Sequence, residues 1–432
     1  MKNLKLYSSS LLLITCLFIL PLTANTQDID YARKMVDTLA SPSMHGRGYV
    51  LNGSNKAGDY LANEMSSLGL QFFGKGYKQE FPVDVITYPS TVRLIIDKKE
   101  LRAGYEFTVV TGSPSVLGTF RLHYIDSSSF KRNGSLKKYK ETPGRSFIVY
   151  DPSLMKGKYR RMADSLLKHN FVNCAGFILL SDKPSIVWSV MARGGEFKYP
   201  VINVLTSAIA DKGKDAAIVI ERKTLDNYNI CNVTGYVKGT SQPDSFVVVT
   251  AHYDHLGMLG PKVYYPGAND NASGTAMMMD MARYYSDTAH KPAHSMVFIA
   301  FAGEEIGLKG SFFAAENPLF PLKNIKFLIN LDMVGTGSEG ITMVNAVQLP
   351  AYFEKMEKLN ADKEYVLKVA KRGESCNSDH CPFYQKGVPA VFIYSMGKEH
   401  TEYHNPYDTA EKVPFTEYED IFRLIRDFMD SL

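Results

Sequence analysis

Histidine and acidic side chains recur beside apolar runs of the chain, where strands or helices would begin or end. The candidate metal ligands are His252, Asp270, Glu305, Asp332 and His404. Imidazole nitrogens together with carboxylate oxygens suit Zn²⁺, with Mn²⁺ or Co²⁺ as alternatives. Two imidazoles and three carboxylates suffice for a pair of hydrolytic metal ions about 3.5–4 Å apart. The residue types therefore predict a two-metal hydrolytic site.

Two further acidic residues could assist the metal ligands. Glu304 and Glu305 are adjacent and so point in different directions, which lets one bind metal while Glu304 remains free as a general base. Asp254 lies two residues after His252. In an extended chain these two side chains share a face, so Asp254 could accept the second imidazole N–H of His252.

Four other histidines are weighed as possible metal ligands and are not preferred. Three of them are interpreted as structural: His255, His290 and His294. His400 competes with His404, because two histidines four residues apart on a helix can bind one metal. The Asn-Pro-Tyr-Asp turn at 405–408 argues against a helix there, so we favour His404.

The elements that must position these residues alternate along the chain. Apolar runs predict strands over 246–251, 295–302, 327–333 and 389–394, and helices over 272–285 and 416–429. This alternation predicts an α/β fold with a mixed, mostly parallel central sheet flanked by helices. Ligands of such sheets bind beyond the carboxyl ends of the strands, where the candidate residues lie.

The pattern of apolar runs and polar loops divides the chain into two units. Residues 82–225 contain short β-like runs between polar loops and no chemically spaced His, Asp and Glu. We interpret them as a smaller, β-rich inserted domain, the alternative being more of one domain. Residues 27–81 and 226–432 would then form one split catalytic domain, whose first part carries a predicted helix over 56–68.

The N-terminus predicts a signal peptide over residues 1–26. Two lysines precede an apolar run over 11–22, which is short for a membrane span. Cleavage is expected after Ala24 or Thr26, the alternative being an uncleaved anchor. The mature chain would be exported to the periplasm or secreted, without stable membrane insertion.

Composition adds limits on partners and cross-links. The 432 residues are 45% hydrophobic with 49 basic and 45 acidic side chains, which indicates a globular protein and argues against a nucleic-acid partner. Export permits disulfides, and Cys376 and Cys381 could close a small loop. The alternative is two free buried thiols. A cysteine zinc site is disfavoured because no second Cys pair is present.

Five motifs resemble the dizinc exopeptidase family, which includes bacterial leucyl aminopeptidases and glutamate carboxypeptidase II. They occur in family order as His252-Tyr-Asp-His-Leu-Gly, Gly267-Ala-Asn-Asp-Asn-Ala-Ser-Gly, Gly303-Glu-Glu-Ile-Gly, Asn330-Leu-Asp-Met-Val-Gly and Tyr403-His-Asn-Pro-Tyr-Asp-Thr. The resemblance covers residues 232–432, with a weaker match over 29–70. The segment between them looks like the protease-associated domain that many members carry.

The resemblance implies roles for individual residues. Asp270 would bridge two Zn²⁺ ions, one bound by His252 and Asp332 and the other by Glu305 and His404. Glu304 would be the general base, Asp254 the partner of His252, and Tyr403 the residue that stabilises the tetrahedral intermediate. The loop with Ser378, Asp379 and His380 would line the substrate site.

These features predict an exported zinc aminopeptidase that acts on peptides. A glutaminyl cyclase of the same fold is the first competing hypothesis, but it uses one zinc and a Trp-lined pocket. Here the single tryptophan, Trp188, lies outside the catalytic segments of the sequence. A carboxypeptidase or dipeptidase is the second competing hypothesis, and a non-catalytic, receptor-like relative is the third.

Overall fold

The structure is a computed structural model that describes residues 27–131, 136, 144–209 and 211–432. The predicted signal peptide over residues 1–26 lies outside the described residues. Within the described ranges, none of the helices has both the length and the apolar character needed to cross a membrane.

Strands of the described residues form two large sheets and one short hairpin. In chain order the strands are β1 (Lys78–Thr87), β2 (Val92–Ile96), β3 (Lys99–Leu101), β4 (Phe107–Val109), β5 (Val116–Tyr124), β6 (Ser146–Tyr150), β7 (Gly176–Ser181), β8 (Val201–Leu205), β9 (Asp215–Ile220), β10 (Lys223–Val237), β11 (Gln242–His252), β12 (Met258–Leu259), β13 (Val263–Tyr264), β14 (His294–Phe301), β15 (Ile325–Leu331), β16 (Gly340–Val344), β17 (Val369–Lys371) and β18 (Ala390–Met396). The hairpin is β12–β13.

The first sheet has the order β1-β10-β14-β11-β15-β18-β16-β17. Its four central strands, β14, β11, β15 and β18, are parallel, whereas β1, β10 and β16 join by antiparallel pairing. Apart from the first four residues of β11, the central strands are buried along almost their whole length, as expected for strands covered on both faces. The predicted mixed, mostly parallel α/β fold is confirmed.

Helices pack on this sheet and supply the rest of its core. The α-helices of the described residues are α1 (Ile29–Leu39), α2 (Gly53–Ser67), α3 (Lys158–His169), α4 (Gly274–Ser286), α5 (Lys309–Glu316), α6 (Pro350–Lys363), α7 (His380–Gln385) and α8 (Tyr418–Asp430). A single cluster of buried apolar residues joins side chains of α1, α2, α4, α6 and α8 with those of the first sheet. The N-terminal helices therefore fold onto the C-terminal half of the chain.

The second sheet has the order β3-β2-β9-β5-β6-β7-β8-β4 and lies within the predicted insertion. It has its own buried core on each face. Residues 82–87 and 223–225, which the sequence analysis assigns to the insertion, instead belong to β1 and β10 of the first sheet, because these two strands pair with each other.

Candidate active site

The predicted metal ligands converge beyond the carboxyl ends of the central strands. His252 is the last residue of β11, Glu305 lies just after β14, and Asp332 follows β15 directly. Asp270 occupies the turn before α4, and His404 lies in the segment after β18. These five residues are called the ligand cluster below. Parallel neighbours end at the same edge of a sheet, so the register of β14, β11 and β15 brings their last residues together.

Asp270 lies between the two imidazoles of the ligand cluster. Its Oδ1 is 3.5 Å from Nε2 of His252, and its Oδ2 is 3.0 Å from Nε2 of His404. Each imidazole has a second acidic neighbour: Asp332 Oδ1 is 3.5 Å from His252, and Glu305 Oε2 is 3.3 Å from His404. The cluster is thus two half-sites that share one carboxylate, the arrangement in which a single Asp can bridge two cations.

The electric field of the ligand cluster favours positive charge. Burial alone would lower the pKa of His404, yet the carboxylates of Glu305 and Asp270 raise it to about 11. Buried carboxylates are costly unless they are paired or bind metal. The donor set, imidazole with carboxylate, is one that binds Zn²⁺, Mn²⁺ or Co²⁺. The cluster therefore fits a pair of divalent cations.

Glu304 lies beside one half-site. Ligand-capable atoms of Glu304, His252 and Asp332 lie within 4.8 Å of one another. Burial raises the pKa of the Glu304 carboxyl well above its ordinary value, an effect that His252 opposes and Glu305 reinforces. This placement suits an acid–base residue, and it would also allow Glu304 to bind metal itself.

Asp254 supports the glutamate pair rather than the imidazole. Its carboxylate accepts hydrogen bonds from the backbone N–H groups of Glu304 (3.1 Å) and Glu305 (3.4 Å). Nδ1 of His252 lies 3.2 Å from the main-chain oxygen of Asp254 but 3.8 Å from its carboxylate. The expected imidazole–carboxylate hydrogen bond is not formed, because β11 ends at His252 and the extended geometry that would align the two side chains ends with it.

Ser378 connects the predicted substrate loop to the ligand cluster. Its hydroxyl donates to Asp332 Oδ2 (2.9 Å) and accepts from the amide of Asn330 (2.8 Å). Asp379 and His380 are also fully buried, and the His380 ring packs against Phe392. None of the three predicted substrate residues has accessible surface, so Ser378 acts here through Asp332, and direct substrate contact stays a prediction.

A disulfide joins Cys376 to Cys381 and closes the loop that contains Ser378. We expect reduction to lower kcat/KM by about 10-fold, because a freed loop would hold the Ser378–Asp332 hydrogen bond less firmly and outer partners of metal ligands contribute on this scale. Hydrolysis of the peptides that the motifs predict as substrates, measured with and without a phosphine reductant, tests the effect. The double variant Cys376→Ser, Cys381→Ser should be slow in both conditions, and equal rates for reduced and oxidised wild type would contradict the prediction.

Tyr403 lies at the open side of the ligand cluster. Its ring stacks on the His404 imidazole with 3.8 Å between centroids, and 46% of the residue is exposed. Burial of the remainder raises the pKa of its phenol, and Asp270 adds to this, so the hydroxyl stays protonated. It is therefore available as a hydrogen-bond donor to a bound substrate.

His255, interpreted from the sequence as structural, lies inside the site. Its Nδ1 is 2.6 Å from Glu305 Oε1, and its ring meets the His404 ring edge-on. Its position in the His-Tyr-Asp-His motif was the available signal. In contrast, His290 stacks on Tyr284 and His294 contacts Lys326, both away from the cluster.

Arg47 is a fully buried cation that the sequence pattern does not single out. Its guanidinium donates to the carbonyls of Tyr253 (2.7 Å), Leu39 (2.8 Å), Pro266 (2.6 Å) and Gly267 (2.7 Å). It thereby joins the end of α1 to the segments that follow β11 and precede Asp270. The only signal in the sequence is the Gly-Arg-Gly triplet, and the structure explains Gly48: a Cβ there would lie 2.5 Å from Gly257 Cα.

His400, the sequence-level competitor of His404, contacts Asp408 instead. His400 Nε2 is 2.9 Å from Asp408 Oδ1. The Asp408 carboxylate also accepts the backbone N–H groups of Asn269 (2.9 Å) and Asp270 (3.1 Å). His400 therefore supports the turn that presents Asp270, and preferring His404 as a candidate ligand agrees with this geometry.

Comparison with known proteins finds a family model that matches the part of the chain containing this site. Residues 232–429 match the model of peptidase family M28. Aminopeptidase YwaD of Bacillus subtilis is 30% identical over 249 residues, which are 55% of this chain and 52% of that protein. A probable zinc metalloprotease of Pyricularia oryzae is 41% identical over 115 residues, which are 26% of this chain and 22% of that protein. The chain thus spans about half, or less, of the length of these curated relatives.

The fold as a whole also has a solved counterpart. The structure of BSAP, a zinc aminopeptidase from Bacillus subtilis, superposes with a TM-score of 0.68 at 21% identity. The match covers 94% of each chain, so it includes both sheets. At this identity the likeness concerns the fold.

Proposed function

We propose that the chain, whose residues 232–429 match the model of peptidase family M28, is a zinc-dependent exopeptidase that removes residues from the N-termini of peptides. It would bind two Zn²⁺ ions. We further propose that residues 1–26 direct export and that the second sheet, within 82–225, is a protease-associated-like accessory domain.

One observation carries the proposal: the Asp270 carboxylate lies between two imidazoles that each have an acidic neighbour of their own. His252, Asp332 and the shared Asp270 would hold one Zn²⁺ ion. Glu305, His404 and Asp270 would hold the other. The names of the relatives, a zinc metalloprotease and a zinc aminopeptidase, support zinc as the metal.

Bound zinc would supply Lewis acidity and lower the pKa of a coordinated water. Glu304, half-buried beside His252 and Asp332, would accept a proton from the attacking water and pass it to the leaving amine. Tyr403 would donate a hydrogen bond to the developing negative charge on the scissile carbonyl oxygen. Asp254 would hold the backbone of Glu304 and Glu305 so that Glu304 can act as the base while Glu305 binds metal.

The proposal is tested with a panel of peptides that have free or blocked termini. We expect rapid release of the first residue from peptides with a free N-terminus, little reaction after N-acetylation, and loss of activity with a zinc chelator that added Zn²⁺ restores. Amino acids released over time are quantified by chromatography. Activity that survives full removal of zinc would contradict the proposal.

The same panel separates the competing functions. Cleavage that needs a free C-terminus would indicate a carboxypeptidase, and cyclisation of N-terminal Gln with one zinc per chain would indicate a glutaminyl cyclase. The indole N–H of Trp188 bonds to the Val109 carbonyl and the residue is 5% exposed, so it does not form an open pocket wall. Zinc binding without any turnover would indicate a receptor-like relative.

A further inference from the structure

Trp188 connects the second sheet to the ligand cluster, although 216 residues separate it from His404. The Trp188 backbone N–H donates to the His404 carbonyl (2.9 Å). The Trp188 carbonyl lies 3.1 Å from Nδ1 of His404. A carbonyl can only accept, so this contact requires a proton on Nδ1 and leaves Nε2 as the ring nitrogen that faces Asp270 and Glu305 and can bind a cation.

Three successive residues fix the Trp188 backbone to the second sheet. The Val187 carbonyl accepts from the Thr108 hydroxyl (3.4 Å), the Trp188 indole N–H donates to Val109, and the Ser189 carbonyl accepts from the Thr111 hydroxyl. The indole also packs on Tyr265, with 4.9 Å between ring centroids. The position of this carbonyl is therefore set by the inserted unit and by Tyr265, which directly follows β13 of the hairpin.

His404 needs such external support. Its backbone φ is +51°, a left-handed conformation that non-glycine residues seldom adopt and that the surroundings must hold in place. The hydrogen bond from Trp188 N–H to the His404 carbonyl restrains this residue. The bond to Nδ1 fixes the rotation of the imidazole. Backbone and ring are thus both held from the second sheet.

We propose that Trp188 is a positioning residue for His404, and that the inserted unit is in this way part of the metal centre rather than only an appended module. This inference rests on the proposed function, since it assigns His404 to one of two Zn²⁺ ions. Its consequence is specific: weakening the Trp188 support should lower affinity for the ion held by Glu305 and His404 and spare the ion held by His252 and Asp332.

The test is titration of metal-free protein with Zn²⁺, followed by calorimetry and by competition with a chelator. In Trp188→Ala we expect one of two binding steps to weaken by about 10- to 100-fold, the usual range for an outer partner of a metal ligand. The other step should stay as in wild type. Co²⁺ in place of Zn²⁺ gives a second readout, because its visible absorption reports the coordination geometry of the bound ion.

Phe120→Ala is the matched control, because it removes an aromatic ring of the same sheet that packs on Phe147. It should leave both binding steps unchanged. If Trp188→Ala does not fold, Thr111→Val decides: it is nearly isosteric, keeps the indole and removes only the hydroxyl that holds the Ser189 carbonyl.

Two results would overturn the inference. The first is wild-type affinity at both steps in folded Trp188→Ala, or in Thr111→Val if that variant has to be used. The second is equal weakening of both steps, which would indicate a general loss of structure. Failure of the proposed function would look different, because the wild-type protein itself would then bind no zinc or hydrolyse no peptide.

Discussion

Replacing Glu304 by Gln is expected to lower kcat for the proposed peptide hydrolysis by about 10²- to 10⁴-fold, with the two proposed Zn²⁺ ions retained. The substitution keeps size and shape but removes the oxygen that can take a proton from water. Glu304 lies beside His252 and Asp332, and its backbone is fixed by Asp254. The measurements are steady-state kinetics on a good peptide substrate and metal content by atomic emission.

Glu316→Gln is the control for the Glu304 variant, because it makes the same chemical change at an exposed position that ends α5. It should leave kcat unchanged. Near-normal turnover by Glu304→Gln with zinc present would refute the assignment of Glu304 as the general base. Loss of one zinc together with activity would instead make Glu304 a metal ligand, which its proximity to His252 and Asp332 also permits.

Replacing Arg47 by Met is expected to lower the free energy of unfolding by about 3 kcal/mol or more. Four buried carbonyls would lose a charged donor at once, and the acidic groups around Asp270 would lose a cation. Burial lowers the pKa of Arg47 to about 10, while Asp270 and Asp408 oppose this effect, so the guanidinium remains charged at neutral pH. Urea denaturation of metal-free protein measures the change without a contribution from bound zinc.

Arg161→Met controls for the loss of an arginine, because Arg161 is exposed on α3; its denaturation midpoint should match wild type. Arg47→Lys should be intermediate, since a single ammonium group cannot reach all the carbonyls that the planar guanidinium reaches. An Arg47→Met midpoint equal to that of wild type would show that the four hydrogen bonds contribute no net stability.

The candidate ligands could be predicted from sequence because each is tied to a short local pattern. His252, Glu305 and Asp332 follow apolar runs that form β11, β14 and β15, and parallel strands end at a common edge. The supporting residues have no such pattern. From the sequence, His400 is an alternative metal ligand to His404, but in the structure it contacts Asp408. The sequence analysis interprets His255 as structural, but it contacts Glu305. The partner of a buried histidine depends on the conformation of the surrounding loops. The pattern of apolar residues in strands does not predict that conformation.

The sequence by itself therefore determined the fold class, the edge of the sheet that carries the chemistry and the donor types gathered there. Only the tertiary structure decided which residues hold the candidate metal-ligating side chains in position through hydrogen bonds. Arg47 donates to carbonyls of residues more than 200 positions away along the chain. Trp188, which is fixed to the second sheet, hydrogen-bonds to His404. The physical reason is that both act on or through main-chain groups, which every residue carries and which leave no signature in side-chain type or spacing.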